Sequence, residues 1–192
     1  MPRPKTITDI DVLKMARKHF LQQGAGASTR SIAKDAGVSE AILFQRFGTK
    51  EGLFFAAMVP PAAELDDLFD VMPGKKTVLA NLEKISAGIL DYFREVIPIF
   101  LPLVTHPAFD MAAFLKQHEI PAMQINQRLN QYLSAEAELG RIGKKHLAGA
   151  VNLLISMLHN LAIGETIGAS DPKHAPQAMT ASIATIWDGI RN

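Results

Sequence analysis

The stretch from residue 28 to residue 50 constrains the fold more than any other, because two short helical patterns flank a glycine there. The first pattern places its apolar residues on one helical face: Ile32, Ala33 and Ala36. Thr29 is the expected N-cap of this helix, since its hydroxyl can accept a hydrogen bond from a free amide of the first turn. Gly37 is expected to end the helix, because a residue without a Cβ adopts the left-handed conformation at little cost.

The second pattern predicts a helix that begins after Ser39, whose hydroxyl can cap the first turn. Three of its side chains are expected to face inward: Ile42, Leu43 and Phe47. Four are expected to face outward: Glu40, Ala41, Gln45 and Arg46. Two short helices that share an apolar face across a glycine-containing turn form a helix-turn-helix motif.

A helix before this motif is predicted to complete a three-helix unit. Thr8 or Asp9 can cap it, and Gly24 follows its end. Its inward residues are predicted to be Ile10, Leu13, Ala16, Phe20 and Leu21. Thr49 can cap a fourth helix that ends before Pro60, because proline lacks an amide and clashes inside a helix.

The remainder of the chain carries helical patterns. Helices are predicted at residues 62–71, 77–96, 109–118, 121–139, 144–163 and 176–190. Pro98 and Pro102 are expected to interrupt the apolar segment that follows the second of these helices. No long stretch alternates with period two, so the predicted fold class is all-α. The predicted organisation is a three-helix domain at residues 1–48 and a larger helical domain at residues 49–192.

Positive charge is concentrated at the amino-terminal end, although the formal net charge of the chain is only +1. Residues 1–50 carry nine Lys or Arg against four Asp or Glu, whereas residues 51–192 carry eleven against fifteen. A basic end that coincides with a helix-turn-helix is the electrostatic footprint of a DNA-binding domain. The absence of cysteine excludes disulfides and thiolate chemistry and agrees with a reducing cytoplasm.

The second helix of the motif is the candidate for entry into the major groove of DNA. On it, Gln45 can bond adenine, Glu40 can accept from cytosine and Ala41 can contact a thymine methyl group. Arg30 is a candidate for guanine or phosphate, and Lys50 lies at a helix amino end that favours anions. The complete predicted DNA-binding set is Ser28, Thr29, Arg30, Ser39, Glu40, Ala41, Phe44, Gln45, Arg46 and Lys50. Ordinary surface polarity is the alternative for each of them.

From about residue 7 to residue 53 the sequence resembles the DNA-binding domain of the TetR family of bacterial transcriptional regulators. The resemblance is carried by Ala16, Phe20, Gly24, Ser28, Thr29, Ile32, Ala33, Gly37, Val38, Ser39, Leu43, Phe47, Lys50 and Leu53. Two positions depart from the family, since Phe44 stands where tyrosine is usual and Ala41 where glycine is frequent. Phenylalanine has no hydroxyl, so one phosphate hydrogen bond of the family is not expected here.

The resemblance implies a repressor that binds a palindromic operator in double-stranded DNA as a homodimer and is released by a small, mainly apolar effector. Candidates for the subunit contact lie on the last two helices: Leu154, Met157, Leu158, Ile183, Ile186 and Trp187. Candidates for the effector pocket are Phe93, Ile97, Phe100, Leu103, His106, Phe109, Phe114, Met123 and Gln124. Burial in the subunit's own core is the alternative for both sets.

An enzyme is not expected, because the six histidines are scattered and the chain has no glycine-rich phosphate loop. Neither a metal nor a cofactor is implied. The start of the chain has no apolar core, and polar residues or prolines break the later apolar runs, so neither a signal peptide nor a membrane span is expected. The alternative function is a ligand-independent DNA-binding adaptor whose second domain serves dimerisation or protein partners.

Overall fold

The computed structural model describes residues 7–60, 65–118 and 121–191, with the backbone alone at residues 65 and 121–123. In chain order the helices are α1 (Asp9–Gln23), α2 (Thr29–Ala36), α3 (Glu40–Phe47), α4 (Lys50–Ala57), α5 (Leu65–Leu68), α6 (Val78–Val104), α7 (Met111–Gln117), α8 (Pro121–Glu138), α9 (Leu147–Thr166) and α10 (Ala175–Ile190). Short 3-10 segments occur at Gly24–Gly26 and Pro172–His174. The described residues contain no strand, which confirms the all-α prediction.

These helices pack as two compact units. The first contains residues 7–60 and 98–109, and the second contains residues 65–97 and 110–191. The boundary predicted after residue 48 lies inside the first unit. The reason is that α4 packs against α1 and buries Leu53 and Phe54.

The core of the first unit forms where α1 packs against α2 and α4. The rings of Phe20 and Phe54 meet edge to face, with their centroids 5.1 Å apart. Such aromatic pairs stabilise a core beyond the area that they bury. The other fully buried large side chains of this unit are Ile32, Leu43, Leu53, Met58 and Leu103.

The inward face of α1 differs in part from the prediction. Ala16 and Phe20 are buried as expected, but Ile10 and Leu21 are 78% and 43% exposed. Val12 and His19 are buried in addition. The histidine enters this face because its Nε2 lies 2.8 Å from a carboxylate oxygen of Asp35, and a polar ring needs such a partner when buried.

Side-chain caps fix where the helices of the first unit begin. The Thr8 hydroxyl accepts from the Asp11 amide, and the Asp11 carboxylate accepts from the Thr8 amide, which forms a capping box at α1. Ser39 and Thr49 cap α3 and α4 as predicted. The carbonyls at the end of α4 are also satisfied, because Arg17 donates to the backbone oxygens of residues 57 and 59, at 2.7 Å each.

Helix α6 is continuous through Pro98 and Pro102, so the predicted interruption after residue 96 is wrong. Each proline removes one amide donor and disfavours the helix. Around them Ile99 and Leu103 are buried, and this burial offsets the missing hydrogen bonds. The part of α6 up to Ile97 belongs to the second unit, whereas the part from Pro98 belongs to the first.

The core of the second unit is built by α6, α8, α9 and α10, with α9 packed against both α8 and α10. Its largest buried residues include Leu82, Ile85, Ile89, Phe93, Leu129, Leu133, Leu154, Leu158 and Ile183. At the periphery Arg94 of α6 donates twice to the carboxylate of Glu165 on α9, with both distances 2.8 Å. This bidentate pair joins the two helices.

A buried carboxylate organises one end of the second unit. Glu136 on α8 has no exposed surface, and it accepts from the Tyr132 hydroxyl at 2.8 Å and from Arg141 Nη1 at 2.9 Å. Its second oxygen also accepts from the Gly74 amide at 3.2 Å. The Tyr132 hydroxyl in turn accepts from Asn81 at 2.9 Å. A buried charge is stable only when paired in this way, so the network fixes the position of α8 beside the start of α6.

Helix α9 is, by length and composition alone, apolar enough to cross a membrane, although its polar residues were expected to prevent this. That observation is weak, because the core helix of a folded domain passes the same test. One face of α9 packs in the core of the second unit, and 28% of its apolar window is buried. Its buried residues are Ala150, Val151, Leu154, Leu158 and Ala162.

Candidate nucleic-acid interface

Helices α2 and α3 form the predicted helix-turn-helix motif. Gly37 ends α2 in the left-handed conformation, with φ 72° and ψ 27°. The amide of Val38 then donates to the oxygen of Ala33 at 3.0 Å, which closes the turn. Ile32 of α2 and Leu43 of α3 have no exposed surface, so the two helices share one apolar face.

The opposite face of α3 is open to solvent. Ala41 and Gln45 are exposed, as predicted for residues that read bases. Phe44 is 38% exposed, and so is Ile42, which was predicted to face inward. The Ile42 prediction was wrong because only the stripe through Leu43 and Phe47, one turn apart, packs inward, and Ile42 lies about 100° away from Leu43 around the helix. Ile42 therefore joins the exposed face of α3, where sequence reasoning had missed it.

A side-chain hydrogen bond joins the amino ends of α2 and α3. Ser28 caps α2 by accepting from the amide of Ser31 at 3.3 Å, so the cap predicted at Thr29 is wrong by one residue. The Thr29 hydroxyl donates instead to Oε1 of Glu40, at 2.6 Å. Oε2 of Glu40 lies 3.9 Å from Nε of Arg30, whose side chain is 89% exposed. The Glu40 carboxylate at the start of α3 and the exposed guanidinium of Arg30 on α2 thus lie side by side.

Two cations of the predicted DNA-binding set have different surroundings. Arg46 donates from Nη1 to the backbone oxygen of Ile7 at 3.0 Å and to Oδ1 of Asp9 at 3.1 Å. It therefore joins the end of α3 to the start of α1, and its contact with DNA stays a prediction. Lys50 is the first residue of α4 and is half-buried. A cation at this position lies beside the free amides of a helix amino end, where an anion is favoured.

Ser28 and Ser39 lie at the amino ends of α2 and α3, next in sequence to Thr29 and Glu40. Both residues are exposed, and each oxygen accepts from a backbone amide of its own helix. Their O–H groups can still donate to a phosphate oxygen, because a hydroxyl both accepts and donates. The DNA-binding set stays a prediction, and its members Ala41, Phe44 and Gln45 are exposed on α3.

The predicted effector residues do not form one group. Phe93 and Ile97 lie in the core of the second unit, whereas Phe100, Leu103, His106 and Phe109 belong to the first unit. Phe114 is half-buried, Gln124 is exposed, and the side chain of Met123 lies outside the described residues. The fold assigns members of this set to both units, and the effector pocket stays a prediction.

His106 packs inside the first unit and does not serve as a polar anchor in the second. Its ring lies 5.0 Å from that of Phe54 and 5.1 Å from that of Phe55. Its Nδ1 accepts from the amide of Ala108 at 3.2 Å and lies 3.9 Å from a carboxylate oxygen of Glu51. These contacts join the segment after α6 to α4 within the first unit.

The predicted subunit-contact residues also divide into two groups. Leu154, Leu158 and Ile183 are at most 1% exposed and pack within the core of their own unit. Burial in the subunit, the alternative stated above, is therefore correct for these three. The partly exposed members of the set are Met157, Ile186 and Trp187. Leu153, which was not predicted, is 65% exposed on α9.

No group of three or more His, Cys, Asp or Glu side chains that could hold a metal ion occurs among the residues that the structure describes. The exposed side chains around α3 can interact through hydrogen bonds, charge and shape. These are the interactions by which proteins recognise double-stranded DNA.

Comparisons with known proteins agree with this geometry. Residues 12–57 match the family model described as bacterial regulatory proteins, tetR family. No curated protein sequence shows a significant match to the chain.

Solved structures share the whole fold. A TetR-family transcriptional regulator from Mesorhizobium loti is similar over 96% of both chains, with a TM-score of 0.73 and 16% identity. PfmR, a TetR-family regulator from Thermus thermophilus, is similar over 91% of this chain and 96% of its own, with a TM-score of 0.61 and 23% identity. The flavonoid-responsive regulator FrrA is 25% identical over 95% of this chain and 96% of its own, with a TM-score of 0.59.

Proposed function

We propose that the chain is a TetR-family regulator that represses transcription from a palindromic operator, because its residues 12–57 match the family model and its fold is that of solved TetR-family regulators. In this proposal it binds as a homodimer and is released by a small, mainly apolar effector. The observation that carries the proposal is the open face of α3, where Ala41, Phe44 and Gln45 are exposed and Leu43 anchors the helix. A helix exposed in this way can enter the major groove.

The need for two copies follows from the small size of the motif. One helix-turn-helix reads only a few base pairs, and dimers place two of them about 34 to 36 Å apart on one side of the duplex. The two-fold symmetry of such a dimer is matched by a palindrome in the DNA. We therefore expect an operator with two inverted half-sites.

The surface that we assign to dimerisation lies on α9 and α10. Leu153 is 65% exposed, and Met157, Ile186 and Trp187 are partly exposed. Apolar side chains left in water on helices that also build the core favour association with a second copy. The core of the same unit fixes the two helices that carry this surface. It includes Leu154, Leu158 and Ile183.

An effector site in the second unit is supported by Ser86 of α6. Its hydroxyl is completely buried, and no hydrogen-bond partner for it is found among the described residues. A buried polar group without a partner is costly, and a ligand that hydrogen-bonds to it gains specificity. Around it the helix is apolar, as Ile85, Ile89 and Leu90 are all buried. A mainly apolar effector with one polar group fits these surroundings.

Operator binding is tested by incubating the purified protein with fragmented genomic DNA at about 150 mM salt, where non-specific contacts weaken. We expect recovery of a few sites with inverted half-sites. Recovery of DNA without any shared sequence would contradict the proposal.

The effector is tested by thermal unfolding with a panel of flavonoids, chosen because FrrA, 25% identical, is described as flavonoid-responsive. A ligand at a hundred times its dissociation constant stabilises a protein by about 2.7 kcal/mol. A panel of sugars of similar size provides the polar control. Stabilisation that grows with flavonoid concentration and is lost in Ser86→Ala supports the pocket.

The second candidate function is the ligand-independent adaptor. It is favoured by the burial of Phe93 and Ile97, which are 4% and 5% exposed and pack in the core of the second unit. An adaptor would bind its operator with the same affinity in the presence of every effector tested, whereas a sensor would lose affinity in at least one case.

A further inference from the structure

The contact between Thr29 and Glu40 has a consequence for sequence recognition. Glu40 is the first residue of α3, and a carboxylate at a helix amino end is favoured by the helix dipole. Its Oε1 accepts from the Thr29 hydroxyl at 2.6 Å, which restricts the rotation of the side chain before any DNA arrives. Oε2 is left to accept a further hydrogen bond, because an ionised carboxylate has lone pairs on both oxygens.

A carboxylate on a DNA-binding surface is unfavourable unless a base donates to it. Phosphate groups repel it, and among the bases cytosine N4 is the donor that glutamate pairs with in the major groove. Guanine presents the acceptors O6 and N7 beside that donor in the same base pair, and arginine binds both. Glu40 Oε2 and Arg30 Nε, 3.9 Å apart, are an acceptor and a donor side by side, complementary to the neighbouring donor and acceptors of one C·G pair.

We propose that Thr29 holds the Glu40 carboxylate in place so that Glu40 and Arg30 together read one C·G base pair in each half-site. This inference rests on the proposed function, because it assigns part of the operator. Thr29 is a positioning residue in it, since Ser28 and not Thr29 caps α2 and leaves the threonine hydroxyl for Glu40. Arg30 is available for guanine, since its side chain is 89% exposed.

The experiment is selection of bound sequences from randomised duplexes, carried out with the full chain and with variants at Glu40. The wild type is expected to fix a C·G pair at one position of each half-site. Loss of a base contact of this kind reduces discrimination about 5- to 140-fold. Glu40→Ala should therefore accept any pair at that position and keep the rest of the consensus. Glu40→Gln should change the preferred base there from cytosine to adenine, because an amide pairs with adenine N6 and N7.

Thr29 is tested by two substitutions in the same selection. Thr29→Val keeps the shape and removes the donor, and we expect about a fivefold loss of discrimination at that position alone. Thr29→Ser restores the donor and should restore discrimination. A purely structural role for Thr29 would lower affinity for all sequences equally, which would overturn its assignment. Lys34→Ala, which removes an exposed cation from the last turn of α2, serves as the matched control and should leave the consensus unchanged.

The competing outcomes are distinct. If the wild type selects a palindrome and Glu40→Ala selects the same one, the inference fails and the proposed function stands. If the wild type selects no shared sequence, the proposed function fails and this inference fails with it. A second measurement is binding to a duplex that lacks the site, where Glu40→Ala should bind more tightly than the wild type because one repulsion from phosphate is gone.

Discussion

The guanidinium of Arg46 bonds to Asp9, 37 residues earlier in the chain, with 3.1 Å between Nη1 and Oδ1. The same nitrogen donates to the backbone oxygen of Ile7. This cation therefore stabilises the first unit at its surface, whereas we expect Lys50, at the start of α4, to contact a phosphate. The two cations should consequently respond differently to salt.

We expect Lys50→Ala to reduce the slope of log affinity against log salt by about 0.9 for each subunit on the DNA, since one phosphate contact is lost. Arg46→Ala should leave that slope unchanged and lower the free energy of unfolding by about 1 kcal/mol. DNA binding measured at several salt concentrations, together with urea unfolding, tests both. A reduced slope in Arg46→Ala would show that the arginine leaves Asp9 for phosphate.

The cap at Ser28 predicts a specific loss of stability. Ser28→Ala removes the acceptor for the Ser31 amide and should lower the free energy of unfolding by about 1 kcal/mol. Ser31→Ala, at an exposed position three residues later in the same helix, is the matched control and should change the free energy of unfolding by less than about 0.5 kcal/mol. Equal effects of the two substitutions in urea unfolding would contradict the cap at Ser28.

The turn of the helix-turn-helix predicts a contrast between two glycines. Gly37 has φ +72°, and a Cβ added there would lie 3.1 Å from Cδ1 of Ile7. Gly37→Ala should therefore destabilise the unit by about 1 to 2 kcal/mol. At Gly26 a Cβ would meet nothing within 4 Å, and Gly26→Ala should be close to neutral. Thermal unfolding of both variants makes the comparison.

The buried network around Glu136 predicts a loss of stability at alkaline pH. Burial, together with the nearby Glu136 carboxylate, raises the pKa of Tyr132 well above its ordinary value near 10. Burial also raises the pKa of Tyr92 to about 12. Because both folded-state values lie above the unfolded value, this contribution is fully present below about pH 10 and falls as the pH rises toward the folded values.

Urea unfolding at pH 8 and pH 11 measures this dependence. Tyr132→Phe should lower stability at pH 8 by about 1.5 to 3 kcal/mol, because it removes a hydrogen bond to a charged group, and it should lose less between the two pH values than the wild type. Tyr92→Phe provides the comparison, since no hydrogen bond to Glu136 is lost there. An unchanged pH dependence in both variants would contradict the assignment.

Substitutions at two neighbouring leucines on α9, the exposed Leu153 and the buried Leu154, should distinguish an effect on folding from an effect on dimerisation. Leu154→Ala opens a cavity in the core and should cost about 2 to 5 kcal/mol of subunit stability. Leu153→Lys places a charge on a side chain that is 65% exposed, so it should leave the subunit folded and weaken the dimer. Sedimentation over a range of concentrations tests the association. A dimer of unchanged affinity in Leu153→Lys would exclude this face.

Features that depend on neighbouring residues were predictable from the sequence. Gly37, Ser39 and Thr49 act within one turn of their own helix, and their roles follow from local backbone chemistry. Ser28 and Thr29 are both good caps, so the sequence could not distinguish them. Ser28 is the cap because the Thr29 hydroxyl donates instead to Glu40 on the next helix.

Features that depend on distant residues were not predictable. The residues near Arg46 in the sequence do not indicate that it bonds to Asp9. The residues near Pro98 likewise do not indicate that α6 continues through the proline because its neighbours are buried. The apolar residues of α9 and α10 satisfy both a core pattern and an interface pattern, and only burial separates Leu154 from Leu153. Tertiary packing decides such cases, because local preference is weak beside it.

Trp187 is the single tryptophan of the chain, and it lies partly exposed on α10 against the core of the second unit. Indole emission shifts to shorter wavelength as water is removed from the ring. The intrinsic fluorescence of the unlabelled protein therefore originates from the surface that we assign to dimerisation. If this surface forms the dimer, dilution should expose Trp187 to water, because the subunits dissociate. The emission should then move to longer wavelength and be quenched more easily by iodide, so that it reports on dimerisation without a label.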